Sequence, residues 1–160
     1  MSGRDDGGYL VLRHPDSPVR THIQGSSHMS SDFDASVKLL YAVDVGTFFT
    51  IDDVTLNDPF DVIMNIEIGR DLNQNVTRFD ARVGIRNLTQ SVNVATANQG
   101  GSLTPSDTDP FLQELRINIP AGWGAKAAVG DVLQAVASYK VTAGSNFDFS
   151  TAESLPFVVS

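Results

Sequence analysis

The sequence predicts an all-β domain that folds as a two-sheet sandwich or a barrel. Apolar and polar residues alternate strictly in two stretches, 60–68 and 77–86, which is typical of strands with one buried face. Further short apolar segments recur roughly every 10–15 residues between Gly-, Pro- and Asp-containing turns, and no convincing long helix appears. The 160 residues are 41% hydrophobic and 19% charged, a balance that fits one folded domain and argues against a disordered chain.

The first 29 residues read as an appended leader, and we expect the domain to span 30–160. Residues 25–29 (Gly, Ser, Ser, His, Met) resemble the scar of an expression vector. The leader also carries a short apolar run with strand-forming residues, Tyr9, Leu10, Val11, Leu12 and Arg13. Two interpretations stay open: a disordered vector-derived tail, or a tethered peptide that binds the domain as an added strand.

The first strands are predicted at 37–45 and 47–51, with Gly46 as a bulge or bend between them. The next strand, 60–68, has a regular apolar face made of alternate residues. These residues are Phe60, Val62, Met64, Ile66 and Ile68. The polar residues 71–75 then predict a turn.

The second alternating stretch predicts a strand that pairs with 60–68 as an antiparallel hairpin. Its inward residues are Thr77, Phe79, Ala81, Val83 and Ile85, and its outward residues include Arg78, Arg82 and Arg86. In this hairpin Asp61 and Glu67 would lie near Arg78 and Arg82. We interpret the arginines as residues that fix register and solubility, with an anion-binding row as the alternative.

The remaining elements follow the same scheme. A short polar strand is predicted at 91–97, a loop at 99–110 and an alternating strand at 111–119. Residues 121–124 form a turn that carries Trp123, the single tryptophan. The segment 127–142 is compatible with a short helix, but alternation favours a strand over 132–142, and 155–159 closes the fold.

Composition excludes several functions. The formal net charge is −8, which speaks against nucleic acid or an anionic membrane surface as the main partner. There is no Cys, so disulfides, thiolate metal sites and Cys nucleophiles are excluded, and no apolar run is long enough for membrane insertion. Residues 30–160 contain no His and no phosphate-binding glycine motif. Without His or a placed Lys no hydrolytic triad can be argued, so we expect a non-catalytic protein.

One acidic segment is a candidate calcium site. Asp52, Asp53, Asn57 and Asp58 supply the hard oxygen ligands that Ca²⁺ prefers, and residues 56–60 resemble the calcium-binding linkers of cadherin-type repeats. The same residue types are also the usual turn formers. The alternatives are therefore a turn without a cofactor, or a calcium site.

Residues 115–123, 130–139 and 152–159 resemble the second half of bacterial immunoglobulin-like modules. In those modules a Gly-Asp turn, here Gly130 and Asp131, precedes an alternating strand. The resemblance implies an immunoglobulin-like antiparallel β-sandwich of about seven to eight strands, with a role in recognition or spacing. The chain departs from antibody-type domains because it has no Cys pair and because Trp123 lies in a turn.

We therefore expect a protein-recognition or structural assembly module that binds a protein or peptide through an edge strand or the end loops 98–110 and 121–126. Trp123 is either an exposed anchor for the partner or a cap on the core. One alternative is a carbohydrate-binding sandwich with a polysaccharide partner, which requires two or three aromatics on one flat face, whereas most Phe are expected to point inward. Another is an engineered fusion of a recognition peptide, about residues 4–22, to its receptor domain.

The absence of Cys favours the surface of a bacterium or a phage particle as the location of the protein. A cytoplasmic location stays open, because a signal peptide is not visible in this sequence.

Overall fold

Two sheets packed face to face make up the fold in the computed structural model, which describes residues 33–107 and 110–160. The strands are β1 (Ala35–Val43), β2 (Asp53–Val54), β3 (Phe60–Ile68), β4 (Val76–Asn87), β5 (Val92–Ser102), β6 (Phe111–Ile119), β7 (Val132–Ala143), β8 (Asn146–Glu153) and β9 (Phe157–Val159). A four-residue helix, α1 (Arg70–Asn73), and a 3₁₀ turn (Gly124–Lys126) complete the described elements. The prediction of an all-β sandwich is confirmed. The leader residues Tyr9, Leu10, Val11, Leu12 and Arg13 lie outside the described residues.

The smaller sheet has the order β1-β3-β6, and the larger has the order β2-β9-β7-β4-β5. Strand β8 also pairs with β7, on the edge that β9 uses, so β8 and β9 follow one another along the same side of β7. At their junction the hydroxyl of Ser154 accepts the N–H of Ala135 at 3.0 Å. The fold has nine strands in the described ranges rather than seven or eight, and the pairing of β2 with β9 is parallel.

The predicted hairpin between 60–68 and 77–86 is wrong, although both segments are strands. Strand β3 pairs with β1 and β6, whereas β4 pairs with β5 and β7 in the other sheet. Alternation shows which residues share a face but not which strand lies alongside, and α1 carries the chain across the sandwich between β3 and β4.

The predicted cross-strand ion pairs are therefore wrong as well. Asp61 pairs with Arg116 at 2.9 Å and Glu67 with Lys38 at 3.6 Å, while Arg78 pairs with Asp80 on its own strand.

Three further elements differ from the prediction: strand β8 (Asn146–Glu153), which the sequence pattern did not predict, the segment 47–51, and the end of β5. Residues 47–51 contribute a single bridge between Thr50 and Val43, because the chain turns at 44–49 with Gly46 at a φ of +74°. Strand β5 continues to Ser102, through residues that read as a loop. A Cβ on Gly101 would lie 2.8 Å from the Phe79 ring, so this glycine permits close packing rather than marking a turn.

Aromatic side chains fill the core between the sheets. Phe60 packs edge-on against Phe157 and Trp123, with ring centroids 5.4 and 6.1 Å apart, and Phe79 stacks on Tyr139. Tyr139 is fully buried, and burial raises the pKa of its hydroxyl, which donates to Gln113. None of the helices in the described ranges has the length and hydropathy to cross a membrane.

Candidate functional site

The edges of the two sheets meet at two corners of the sandwich, and the corners differ. At the first, which we call the closed corner, β1 lies beside β8. The carboxylate of Asp148 accepts the N–H of Ala35 at 2.7 Å, and the hydroxyl of Ser150 accepts the N–H of Val37 at 3.0 Å. Side chains of β8 thus replace the strand that β1 lacks on this side.

The second half of β1 is also hydrogen-bonded on its outer side. The N–H of Ile51 donates to the carbonyl of Ala42 at 3.1 Å, and the N–H of Asp44 donates to the carbonyl of Phe49 at 3.2 Å. Adding a strand beside β1 would therefore require existing hydrogen bonds to break.

At the other corner, which we call the open corner, β5 lies near β6. Over the described part of the chain β4 is the only strand that pairs with β5. Alternate N–H and C=O groups of an edge strand point away from its neighbour and can pair with another chain. Within the residues that the structure describes, strand β5 is therefore a free edge of 11 residues.

This free edge lacks the usual protection. Proteins shield exposed edges with charged residues, proline or a short strand, but Val92–Ser102 contains no Asp, Glu, Lys, Arg or Pro. The one register shift against β4 lies at Ile85/Arg86, near the start of β5, and the pairing is regular from there to Ser102. A long, regular and uncharged edge is the geometry that accepts an added strand.

The side of β5 that faces the core carries small residues. Ala95 and Ala97 are half-buried, and Gly101 has the Phe79 ring directly over it. Their neighbours Thr96 and Asn98 are exposed on the other side. Small residues beside a free edge leave space for larger side chains from an added strand.

The end loops do not expose the predicted aromatic anchor. Trp123 is only 4% exposed, and its indole N–H donates to the carbonyl of Asp58 at 2.9 Å. It packs against Phe60 at the end of the core. Trp123 thus has the second of its two predicted roles, the core cap, and its side chain is not available on the surface as an anchor.

The predicted calcium ligands build a turn. Asn57 has a φ of +71°, and its side-chain oxygen accepts the N–H groups of Gly122 at 2.7 Å and Gly124 at 3.0 Å. Asp52, Asp53 and Asp58 are exposed. Between 33 and 160, leaving out 108 and 109, no three acidic or histidine side chains are arranged to hold a metal ion. The calcium hypothesis therefore gains no support from this segment.

Two buried carboxylates belong to structural networks. Burial of Asp61 would raise its pKa, but hydrogen bonds from Gly46, Asn118 and Arg116 outweigh burial and hold the pKa below the ordinary value. Hydrogen bonds from Asn87, then from the backbone of Ala128, lower the pKa of Asp131. Each carboxylate fixes a loop against a strand, an arrangement that serves structure rather than proton transfer.

No protein-family model matches the chain, and no curated protein sequence matches it. Solved structures with similar segments include a β-glucuronidase from glycoside hydrolase family 2, with a TM-score of 0.45 and 13% identity over 78% of this chain and 12% of that one. A glycosyl hydrolase family 2 member from Bacteroides cellulosilyticus has a TM-score of 0.43 and 8% identity, over 78% of this chain and 15% of that one.

A third similar structure is a bacterial adhesin from Mobiluncus mulieris that contains intramolecular disulfide, isopeptide and ester bond cross-links. Its TM-score is 0.44 and its identity 8%, over 79% of this chain and 58% of that one. The chain spans less than two thirds of the length of each of these three proteins.

Proposed function

We propose that this chain is a non-catalytic, immunoglobulin-like recognition or assembly module that binds an extended segment of a partner protein as a strand added beside β5. The observation that carries the proposal is the free, uncharged edge at Val92–Ser102. Main-chain hydrogen bonds to β5 would supply affinity, and the spaces next to Ala95 and Ala97 would select the partner's alternate side chains.

The chemistry of the titratable groups supports a non-catalytic role. The carboxylates with clearly lowered pKa values are Asp61, Asp80 and Asp131, and each is hydrogen-bonded to neighbouring protein groups. The residue whose pKa is raised most, Tyr139, lies in the core. Asp61, Asp131 and Tyr139 are buried and the half-exposed Asp80 is held by Arg78, whereas catalytic acids and bases are reachable by a substrate and are free to exchange a proton.

The test is a selection of ten-residue peptides from a display library, together with a synthetic peptide that has the sequence of residues 8–14. Binding is measured by calorimetry, and the site is mapped by amide hydrogen exchange of the 160-residue chain. We expect the selected peptides to alternate apolar and polar residues and to slow exchange in Val92–Ser102, with no change in Ala35–Val43.

Two variants at one position separate binding from folding. Ala97→Lys places an inward-pointing charge on the edge, a natural device against strand pairing, and should weaken peptide binding at least about tenfold. Ala97→Val keeps the position apolar and introduces a β-branched side chain that suits a strand, so it should retain binding. Peptides that protect another part of the chain, or that bind Ala97→Lys as tightly as the unmodified chain, would refute the proposal.

A further inference from the structure

The outer face of the larger sheet concentrates positive charge. Residues 30–160 contain eight basic and sixteen acidic residues. Four of the basic residues but only two of the acidic ones lie on the outward side of β4, β7 and β8. The basic residues are Arg78, Arg82, Arg86 and Lys140, and the acidic residues are Asp80 and Glu153. This surface, which we call the basic face, is positive on a chain whose net charge is −8.

The charges on the basic face are not all neutralised by neighbours. Arg78 is paired with Asp80 at 2.7 Å, whereas Arg86 lies 3.9 Å from Glu153 with both side chains more than half exposed. An exposed pair at that distance is weak. Arg82, between these two arginines along β4, makes no ion pair within the described ranges. Arg82 is thus available to an anion from solution.

The basic face is also hollow along its middle. A shallow cavity of about 580 Å³ next to Gly100 adjoins one of about 270 Å³ next to Gly84, and both are lined by Arg82 and Ser138. Neither glycine places a side chain on the surface, and a Cβ on Gly100 would lie 2.9 Å from a carboxylate oxygen of Asp80. Together the two cavities form an elongated, open depression, which suits a chain molecule lying across the strands.

Two exposed aromatic rings lie on the outward side of β8, where Phe149 pairs with Lys140, a residue that lines the depression. Phe147 and Phe149 are 62% and 63% exposed and point to the same side, with Cα atoms about 7 Å apart by strand geometry. The ammonium group of Lys140 lies 4.6 Å from the centre of the Phe147 ring. Among the described residues no cation lies over the Phe149 ring. The expectation that most Phe point inward is wrong: five of the nine are exposed, because loops and edge strands carry them.

We propose that the basic face binds an anionic polysaccharide. Carboxylate or sulfate groups would contact Arg82 and Lys140, and a sugar ring would pack against Phe149. The open depression has no buried apolar centre of the kind that protein partners occupy, and an aromatic ring bordered by cations matches a chain of charged sugar rings. This proposal concerns the face of the sheet and is independent of strand addition at β5.

The test measures binding of the 160-residue chain to alginate, which carries carboxylates, dextran sulfate, which carries sulfates, and neutral dextran, by affinity electrophoresis at low ionic strength. We expect retardation by at least one of the two anionic polymers and none by dextran. Arg82→Glu should weaken binding about tenfold, the effect of losing one charge-assisted contact. Lys126→Glu makes the same charge change on the 3₁₀ turn, away from the basic face, and should have little effect.

A second pair of variants tests the aromatic contact. Phe149→Ala should weaken binding about threefold, a typical value for one aromatic contact. Phe49→Ala, which removes a still more exposed ring outside this face, should not weaken binding. Three results would overturn the proposal. They are no retardation by either anionic polymer, equal loss in Arg82→Glu and Lys126→Glu, and retardation by single-stranded DNA as strong as by the polysaccharide and insensitive to Phe149→Ala.

Discussion

The closed and open corners of the sandwich differ in whether the outer backbone groups of their edge strands are hydrogen-bonded. At the closed corner the unpaired N–H groups of Ala35 and Val37 are satisfied by Asp148 and Ser150 of the facing sheet. At the open corner β5 pairs only with β4 over the described residues and has no charged residue or proline. Since unpaired edges invite association with other chains, the contrast supports the proposal that β5 accepts an added strand.

The contrast also shows that edge protection need not come from the edge strand itself. The protecting groups of β1 are side chains 113 positions away in sequence. Strand β1 contains a single charged residue, Lys38, at its bulge. Lys38 and the bulge give β1 some protection of its own, but the hydrogen bonds to Asp148 and Ser150 cannot be read from its sequence.

Removing the two side-chain hydrogen bonds of the closed corner should have the largest effect on the free energy of unfolding. The double substitution Asp148→Ala with Ser150→Ala leaves two partly buried N–H groups without partners, which should lower the free energy of unfolding by about 2–4 kcal/mol. Urea denaturation measures this change. Thr151→Ala, at an exposed neighbour on β8, should change stability by less than about 0.5 kcal/mol. A double variant as stable as Thr151→Ala would show that the corner needs no hydrogen-bonded closure.

Adding a methyl group to β5 at the open corner should lower the free energy of unfolding moderately. Gly101→Ala places a methyl group 2.8 Å from the Phe79 ring, and moving the ring should cost about 1–3 kcal/mol. Asn98→Ala, on the exposed side of the same strand, is the matched control and should be nearly neutral. If both variants unfold at the same urea concentration, the ring is not tightly packed over β5.

Acid should destabilise the fold through the carboxylate of Asp61, whereas strand β5 itself has no titratable side chain. The folded-state pKa of Asp61 is below its ordinary value of 3.8, so the carboxylate contributes stability above that value and loses it as pH falls toward the folded-state pKa. The stability of Asp61→Asn should therefore depend less on pH in this window. Thermal unfolding between pH 5 and pH 2 measures the slope, and equal slopes in the two proteins would contradict the prediction.

The last prediction concerns hydrogen exchange in the unmodified chain and requires no substitution. In the unmodified chain the amides of Ala35 and Val37 should exchange with deuterium more slowly than the outward-facing amides of β5, because the former are hydrogen-bonded to side chains. Residue-resolved exchange by NMR measures both sets in one experiment. Equal protection at the two corners would remove the distinction between them.

Local pattern predicted the long alternating strands but not β8 (Asn146–Glu153), and it did not predict which strands pair. Alternation correctly identified 60–68, 77–86 and 132–142 as strands, because each has a buried face with a period of two. It could not identify neighbours, since Asp61 meets Arg116 across 55 positions. Gly100 and Gly101 read as loop residues because glycine serves both turns and close packing.

The candidate site was only partly predictable for the same reason. The lack of charge in 92–102 is visible in the sequence, but whether that strand lies at an edge depends on the whole sheet order. The sequence left two roles open for Trp123, an exposed anchor or a core cap, and its hydrogen bond to the carbonyl of Asp58, 65 positions away, holds it in the second role. Contacts between distant segments decided both outcomes.

The strand order also sets the expected route of folding. Only two pairings, β4 with β5 and β7 with β8, join consecutive strands. These hairpins close short loops and should form early, whereas the contacts of Asp148 and Ser150 with β1 close a loop of more than a hundred residues and should form late. A nascent chain would therefore expose the edge of β1 until β8 is made, and during synthesis β1 rather than β5 would be the segment most in need of a chaperone.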